Sequence, residues 1–364
     1  MNLYEFSATT RRVIVYAAVG LVLFIVLRIL YGLAVNLYLS IYPPLEPSPT
    51  VGFGKLPKLQ LPSLTVSGSP TYSLETPTGV LPEFSDRSEV VAAAEFQPSL
   101  LGEDEARALA QNLNFGGEGA LSADNKTLTF RDATDGRILA VDVVSQNFTL
   151  STDANHIGAL SKGAAPSGPD AIKGAQDFLS NLGLLKFGFE AGNQTTTFRA
   201  ATGGVIKEAG SISEAQLTEV NFFRSLTGVG KQTYSILTAN PKQGLIQVWI
   251  TTDLHPDVLN ILRISYNAAE SELNKNKVET YPLRNVAEAW QDIQKGKGIA
   301  YIGIKGNLKT VEITSVDLSY FDDATYQKYL QPIYVFSGVA KTANGSEGEF
   351  TAYVQAVSKD WITE

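Results

Sequence analysis

The sequence predicts an α+β protein in which one N-terminal transmembrane helix precedes tandem modules, each built from a helix and an antiparallel sheet. Three features predict this class. A 29-residue apolar run covers residues 13–41, directly behind Arg11 and Arg12. A proline-rich stretch follows at residues 42–58. Beyond it, segments with the apolar spacing of amphipathic helices alternate with strand-like segments bounded by turn residues.

Residues 13–41 predict a single-pass anchor in the cytoplasmic membrane. As an α-helix the run would be about 43 Å long, which exceeds the roughly 30 Å of hydrocarbon in a bilayer. By the positive-inside rule, the paired arginines place residues 1–12 in the cytoplasm and the C-terminal bulk outside. A cleavable signal peptide is the alternative, since Val13 to Leu27 has the length of an h-region. Against it, no small-residue cleavage site follows promptly, and the apolar character resumes through Ile41.

Arg28 is the one charged residue inside the apolar run. Burying it costs at least about 2.5 kcal/mol even on the translocon insertion scale, so something must offset the charge. In one interpretation, its long side chain reaches a headgroup or local water. In the other, it pairs with an acidic or polar group on a partner helix. The sequence leaves both interpretations open.

The chain is acidic and has no cysteine. Lysine and arginine number 29 against 37 aspartate and glutamate, which gives a net charge of −8. That balance lacks the basic patch that nucleic acid requires, and it favours proteins or wall material as partners. The lack of cysteine excludes disulfides, thiolate metal sites and cysteine nucleophiles. We therefore predict no nucleic-acid partner.

Prolines dominate the chain after the apolar run. Their cluster in residues 42–58 favours extended backbone and predicts a semi-rigid stalk. From Leu59 onward, large apolar residues come close to strand alternation between further prolines. This segment is either an exposed linker or a series of short edge strands, where proline is tolerated. The number of large apolar residues favours strands, because a disordered stalk does not need them.

The first module is predicted over residues 59–160. A helix runs from Glu103 to Leu113, with acidic residues at its positive end and alanine and leucine along one face. Two strands follow, Leu128 to Phe130 and Ile138 to Val144. They flank Asp135-Gly136, which is a strong hairpin signal.

The second module is predicted over residues 166–257. Pro169 suits the first turn of a helix, and Gly183 ends it. Three strands are predicted after this helix: Leu217 to Phe223, Thr233 to Leu237 and Leu245 to Thr251. Turn-forming residues at 240–244 connect the last two.

The third module is predicted over residues 258–364. Pro282 introduces a helix that carries Val286, Ala289 and Ile293 on one face, and lysine and glycine residues follow as stop signals. Four strands are predicted: Ile299 to Ile304, Thr310 to Phe321, Gln331 to Val339 and Phe350 to Val357. Alternation within the second of these is imperfect, which predicts a bulge or a change of buried face.

The third module resembles a known family. The segments VAEAWQDIQKGKG, VEITSVDLSYF, YLQPIYVFSG and EFTAYVQAV, within Pro282 to Val357, are similar to the C-terminal modules of YycH/YycI-type regulators and more loosely to PepSY-like domains. The resemblance implies a single-pass bacterial membrane protein, with its N-terminus inside, whose extracytoplasmic domain acts on a sensor kinase without catalysis. The proline-rich front half does not align with that family.

Residues with catalytic potential are few. His156 and His255 lie in separate modules and lack metalloprotease spacing, and the usual serine-nucleophile motifs do not occur. The pairs Asp322-Asp323 and Asp132 with Asp135 could bind calcium or act as acid and base. Because aspartate is favoured in turns, we interpret both pairs as turn residues. We predict no catalytic residue, metal ligand or cofactor.

The exposed part of the tyrosine-rich, acidic loop from Tyr320 to Pro332 is the predicted contact surface for a protein partner. Its named candidates are Tyr320, Phe321, Tyr326 and Tyr329, and Arg28 is the candidate inside the membrane. The favoured function is a non-catalytic envelope regulator or adaptor. A structural or surface-interaction component of an envelope assembly is the alternative, and an enzyme of unrecognised type is a third. The sequence does not indicate the oligomeric state.

Overall fold

The protein is described by a computed structural model covering residues 3–41, 48–95, 98–134, 136–153, 164–202, 205–228, 232–252, 261–270 and 272–363. The chain forms two compact units, Met1–Ser48 and Pro49–Glu364. The first unit is a single helix, α1 (Leu3–Ile41). Within α1, the 23 residues Tyr16–Tyr38 have a mean hydropathy of 2.5 and are long and apolar enough to cross a membrane. Arg28 lies inside this candidate span.

The second unit consists of eighteen described strands and three α-helices. The helices are α2 (Gly102–Asn112), α3 (Gly168–Asn181) and α4 (Val286–Gln294). The strands are β1 (Gly68–Leu74), β2 (Arg87–Ala93), β3 (Ala120–Leu121), β4 (Thr127–Asp132), β5 (Arg137–Asp142), β6 (Phe148–Thr152), β7 (Gln194–Thr202), β8 (Val205–Glu208), β9 (Leu217–Phe222), β10 (Ser225–Thr227), β11 (Thr233–Leu237), β12 (Ile246–Ile250), β13 (Ile261–Tyr266), β14 (Leu273–Pro282), β15 (Ile299–Ile302), β16 (Leu308–Phe321), β17 (Tyr329–Thr342) and β18 (Glu347–Gln355).

Sheet 1 is antiparallel throughout, with strand order β3-β4-β5-β6-β13-β12-β9-β7-β8. Helices α2 and α3 pack on it through small residues, Ala106 and Ala110 from α2 and Ala171 and Ala175 from α3, all essentially inaccessible to solvent. Small side chains bring each helix close to the sheet, where the core is closely packed. Because β6 and β13 pair, sheet 1 takes strands from all three predicted module ranges.

Sheet 2 is mixed. Its main path is β10-β11-β16-β17-β18-β15, while β1 pairs with β16, and β2 pairs with β14 and β17. Both β1 and β11 run parallel to β16, one at each end of this long strand. Helix α4 covers one face, where Ala289 and Ile293 join a core with Phe336 and Phe350. The register of β16 against β17 shifts between Ile313 and Ser315, which confirms the predicted irregularity.

The first two predicted helices are confirmed within one or two residues. The third is confirmed with a later start, because Pro282, predicted to introduce it, ends β14 and α4 begins at Val286 after the cap Asn285. Asn285 accepts a hydrogen bond from the Ala287 N–H at 2.8 Å and caps α4. Ser167 accepts one from the Asp170 N–H at 3.3 Å and caps α3, with proline in its first turn as predicted. The hairpin around Asp135-Gly136 is also confirmed, because β4 pairs with β5.

The front segment differs from the prediction. Strands were expected from Leu59, but the first strand begins at Gly68, and residues 57–66 form no strand. Pro57 and Pro62 lack the N–H groups that a strand ladder needs. The segment is nevertheless packed: Leu59 joins the core on the face of sheet 2 formed by Phe321 and Tyr353. The apolar residues of this segment therefore pack into the core although the segment does not pair in a strand ladder.

The range predicted as a stalk reaches into the folded unit. Leu56 is fully buried and forms a parallel bridge with Ile362. Residues 42–47 of that range lie outside the described residues. From residue 49 onward the chain belongs to the second compact unit.

A buried ion pair joins the two sheets. Arg224 lies between β9 of sheet 1 and β10 of sheet 2, and its guanidinium bonds to the carboxylate of Asp322, directly after β16. Arg224 also donates through Nε to the Phe187 carbonyl at 2.8 Å. Asp322 donates its backbone N–H to the Leu237 carbonyl at 2.9 Å. The pair thus connects four segments at the junction of the sheets.

We expect Asp322→Asn to lower the free energy of unfolding by about 3–5 kcal/mol, because it leaves the Arg224 charge buried without its counter-charge. Denaturant unfolding of the full chain in detergent micelles measures this loss. Asp86→Asn is the matched control: its carboxylate pairs with Arg87 at 2.7 Å but is 72% exposed. The control should leave the unfolding midpoint nearly unchanged. Equal losses in both variants would contradict the assignment of the Arg224 pair as the link between the sheets.

Candidate functional site

An open groove lies where the chain leaves β13 of sheet 1 for β14 of sheet 2. One part has a volume of about 610 Å³ and is lined by residues from the α2 region, the α3–β7 loop and the β13–β14 connection. A second part, of about 520 Å³, is lined by the α3–β7 loop and by β10 and β14. The two parts share Phe187 and Glu272. We call them together the acidic groove.

Carboxylates dominate the walls of the acidic groove. Among the described lining residues, one lysine, Lys186, faces six glutamates: Glu89, Glu95, Glu105, Glu190, Glu270 and Glu272. A concave surface lined by one sign of charge concentrates its electric field and raises the local concentration of oppositely charged ligands. The acidic groove is therefore suited to a cationic ligand or a basic peptide segment.

Glu270 connects the acidic groove to the loop after β16. Its carboxylate accepts a hydrogen bond from the Tyr326 backbone N–H. Burial raises the pKa of Glu270 above its ordinary value, the charge of Asp142 adds to that rise, and the Tyr326 hydrogen bond opposes it. A basic group in the groove would favour the charged form of this carboxylate.

Two of the predicted contact residues are buried, which corrects their assignment to a contact surface. Tyr320 is 1% exposed, and its hydroxyl donates to the Glu89 carbonyl at 2.9 Å. Phe321 is fully buried and packs edge-on against Tyr353. Both lie within β16, and side chains from other segments cover them: Val91 and Leu226 pack with Tyr320. Leu59 and Ala300 pack with Phe321. The sequence pattern placed both residues at a strand end but did not reveal which distant segments pack on them.

Of the predicted loop tyrosines, Tyr326 lies at the acidic groove. It is 40% exposed, and its hydroxyl donates to the Ala94 carbonyl at 3.3 Å. Together with Glu270 and Glu272 it lines a small recess that adjoins the groove. Tyr329 instead stacks on Phe53, with ring centroids 4.8 Å apart. Tyr326 therefore stays a contact candidate, whereas Tyr329 supports the packing of the front segment.

Of the predicted aspartate pairs, Asp323 and Asp132 make turn contacts, whereas the Asp322 carboxylate bonds to Arg224, which corrects its interpretation as a turn residue. The Asp323 carboxylate accepts the Ala324 N–H at 2.8 Å. Asp132 accepts the Thr134 N–H at 3.0 Å and pairs with Arg137. Asp135 lies outside the described residues, as do His156 and His255. Within the part of the chain that the structure describes, no cluster of three or more His, Cys, Asp or Glu residues could hold a metal ion.

Sequence reasoning missed the acidic groove. Its glutamates come from segments as distant as Glu89 and Glu272, and each alone looks like an ordinary surface residue. The run Asn267 to Glu272 places two glutamates shortly after β13, a strand that the sequence analysis does not predict, and it is the local signal that could have indicated the groove.

Comparisons with known proteins identify no family. Neither the protein-family models nor the curated proteins include a match to the sequence. Among solved structures, an uncharacterized protein from Eubacterium rectale is similar at 10% sequence identity and a TM-score of 0.32, covering 74% of this chain and 82% of that chain. A similarity at that level supports no inference about fold or function.

We expect Glu270→Gln to raise the thermal unfolding midpoint at pH 7. Folding raises the pKa of Glu270 above 4.5, its value in the unfolded chain. The contribution of this carboxyl to the stability of the folded protein is therefore complete below pH 4.5 and is lost as the pH rises through the folded-state pKa. Glutamine removes that loss and keeps an acceptor for the Tyr326 N–H. The advantage should therefore disappear below about pH 4.5. Glu208→Gln, on the exposed edge strand β8, is the control that should show no such pH-dependent gain. A variant no more stable than wild type at pH 7 would contradict the prediction.

Proposed function

We propose that this chain is a membrane-anchored, non-catalytic adaptor or regulator that holds a basic segment of a protein partner in the acidic groove. The observation that carries the proposal is the groove itself, whose described lining includes six glutamates and one lysine. A groove of this charge attracts lysine and arginine side chains and speeds encounter with a basic partner.

The rim of the acidic groove supports a protein partner in preference to a free cation. Tyr326 and Phe187 offer aromatic surface beside the carboxylates. Aromatic residues are enriched in protein interfaces, since they bury much area and retain a polar edge. A bare metal ion would instead need a compact set of oxygen ligands.

The apolar helix and the charges that flank it support a location in the membrane, with the acidic groove outside the cytoplasm. A single helix of this length is compatible with a membrane anchor. The basic pair Arg11 and Arg12 supports an inside N-terminus, which would place the acidic groove outside the cytoplasm. The resemblance of residues 282–357 to YycH/YycI-type regulators makes a sensor kinase the first partner to test.

Arg28 offers a second contact within the membrane. A charged residue in the middle of a span is costly and is usually paired or directed to water. We propose that it pairs with a polar or acidic side chain on the helix of the same partner. A contact there and one at the groove would make binding bivalent, so that the first contact raises the effective concentration of the second.

Charge reversal at the groove tests the proposal. We expect the double variant Glu95→Lys and Glu272→Lys to lose most of the partner captured by in-cell crosslinking and mass spectrometry, because it replaces attraction with repulsion. The matched control is Glu118→Lys with Glu208→Lys, which makes the same change of net charge on exposed residues away from the groove. Equal capture by both double variants would refute the role of the groove. Capture only of further copies of this chain would favour a structural envelope assembly.

The membrane contact has a separate test. Arg28→Leu should abolish crosslinks formed from positions within α1, while Arg28→Lys should keep part of them because it keeps the charge. Crosslinking groups at Leu23 and Leu30 provide the readout inside the span. Unchanged crosslinks to every neighbouring membrane protein in Arg28→Leu would show that the arginine reaches a headgroup or water instead.

A further inference from the structure

A second cleft carries the opposite charge. It has a volume of about 660 Å³ and lies beside the end of β18, between the front segment, the turn after α4 and the C-terminal segment. Among the described residues, its charged lining consists of four cations and one carboxylate: Lys58, Arg284, Lys297, Lys359 and Asp292. We call it the cationic cleft. It has no lining residue in common with the acidic groove.

The front wall of the cationic cleft is held in place by two glutamines. The Pro57 carbonyl accepts a hydrogen bond from Gln331 Nε2 at 2.9 Å, and the Leu59 N–H donates to Gln355 Oε1 at 3.3 Å. The two glutamines bond to each other at 2.7 Å. Lys58 therefore projects from backbone that is fixed on both sides.

The opposite wall depends on a glycine. Gly298 has φ +72°, and a Cβ atom there would lie 2.1 Å from the Tyr353 carbonyl oxygen. The Gly298 carbonyl accepts the Tyr353 N–H at 2.7 Å. This close approach sets the neighbouring Lys297 at the edge of the cleft. The Lys297 ammonium lies 3.8 Å from the Asp292 carboxylate. The Lys297 side chain is 68% exposed, so a ligand can reach it.

Two buried donors of the cleft lining have no hydrogen-bond acceptor among the described residues: Arg284 Nε and the Tyr353 hydroxyl. Tyr353 is fully buried, and the Arg284 side chain is 7% exposed. Leaving a buried donor without a partner costs about 1–3 kcal/mol. Burial also raises the pKa of Tyr353, so its hydroxyl keeps its proton. Because the Glu288 carboxylate faces Arg284 Nε at 3.9 Å, the Tyr353 hydroxyl is the donor that an acceptor from outside the chain, a water molecule or a ligand atom, would satisfy.

Asp292 does not neutralise the cleft. It bonds to Arg284 Nη2 at 2.8 Å, and although burial opposes its ionisation, Arg284 and the two nearby lysines lower its pKa. Glu288, outside the lining, also lies 3.9 Å from Arg284 Nε. Among the described residues these two carboxylates oppose four cations, so positive charge remains in excess. Apolar side chains complete the lining: Leu59, Leu61, Pro62, Val354, Val357 and Ile362.

We propose that the cationic cleft binds a phosphate-bearing small molecule, with the phosphate at the lysines and an apolar part against the leucine and valine lining. Several converging cations suit a multiply charged oxyanion better than a single carboxylate. The volume is within the range of about 300–1,000 Å³ usual for small-molecule sites. Phosphate oxygens are offered both by a soluble phosphate monoester, which can carry two negative charges, and by the singly charged phosphodiester of an anionic phospholipid, so the experiment separates the two.

Isothermal titration of the full chain in non-ionic detergent micelles tests this site. The probes are inorganic phosphate, glycerol 3-phosphate and dihexanoyl-phosphatidylglycerol, each corrected for protein-free micelles. We expect binding that weakens with added salt. The triple variant Lys58→Gln, Lys297→Gln and Lys359→Gln should weaken it at least tenfold. The matched control is Lys126→Gln, Lys173→Gln and Lys207→Gln, three exposed lysines elsewhere that make the same change of net charge.

A second variant separates ligand contact from folding. Tyr353→Phe removes the unpartnered hydroxyl and keeps the ring, so the free chain should unfold at the same midpoint or higher while phosphate affinity falls severalfold. Similar affinity for glycerol phosphate and the lipid would identify a soluble ester as the ligand. Lipid binding at least tenfold tighter would identify a phospholipid. Absence of binding by wild type to all three probes, or equal binding by both triple variants, would overturn the proposal.

Discussion

The buried ion pair between Arg224 and Asp322 is the contact on which the arrangement of the two sheets depends. Each sheet has its own core, so neither needs the other for its burial of apolar side chains. The relative position of the two sheets is set where the chain crosses from β9 to β10. At this point the Arg224 guanidinium and the Asp322 carboxylate are almost inaccessible to solvent. A pair of that kind contributes little net stability, but it is costly to separate, and it favours one arrangement over others.

The acidic groove follows from that junction. Arg224 bonds to the Phe187 carbonyl at 2.8 Å, and Phe187 lines both parts of the groove. Asp322 begins the loop that carries Tyr326 to Glu270. The walls of the groove are thus attached to the two members of the ion pair. The opposite charges of Arg224 and Asp322 neutralise each other. The electrostatic potential of the groove is therefore determined mainly by its glutamates.

Local structure was predictable from the sequence, and long-range pairing was not. The helices α2, α3 and α4 have short-range signals: apolar spacing along one face, with acidic residues in the first turn of α2 and capping side chains at α3 and α4. Their predicted existence is confirmed, although α4 begins later than predicted. The pairing of β6 with β13 and the parallel contact of β11 with β16 join residues far apart in the chain, with no signal in either strand. The failed strand prediction at Leu59 has the same origin, since apolar residues needed for packing resemble those of a strand. Of the candidate site, the loop with Tyr326 was predicted, and the distant glutamates were not.

The two clefts show why net charge alone describes this protein poorly. A charge of −8 implies repulsion of any anion, yet the cationic cleft gathers four of the 29 basic residues around one carboxylate. At physiological ionic strength, charges are screened over about 8 Å, so a ligand at the mouth of a cleft experiences the lining residues more than the rest of the surface. Opposite charges can therefore be used by two sites in one folded unit. A phosphate bound at the cationic cleft would neutralise part of its charge and leave the attraction at the acidic groove nearly unchanged, so that the two sites would act independently.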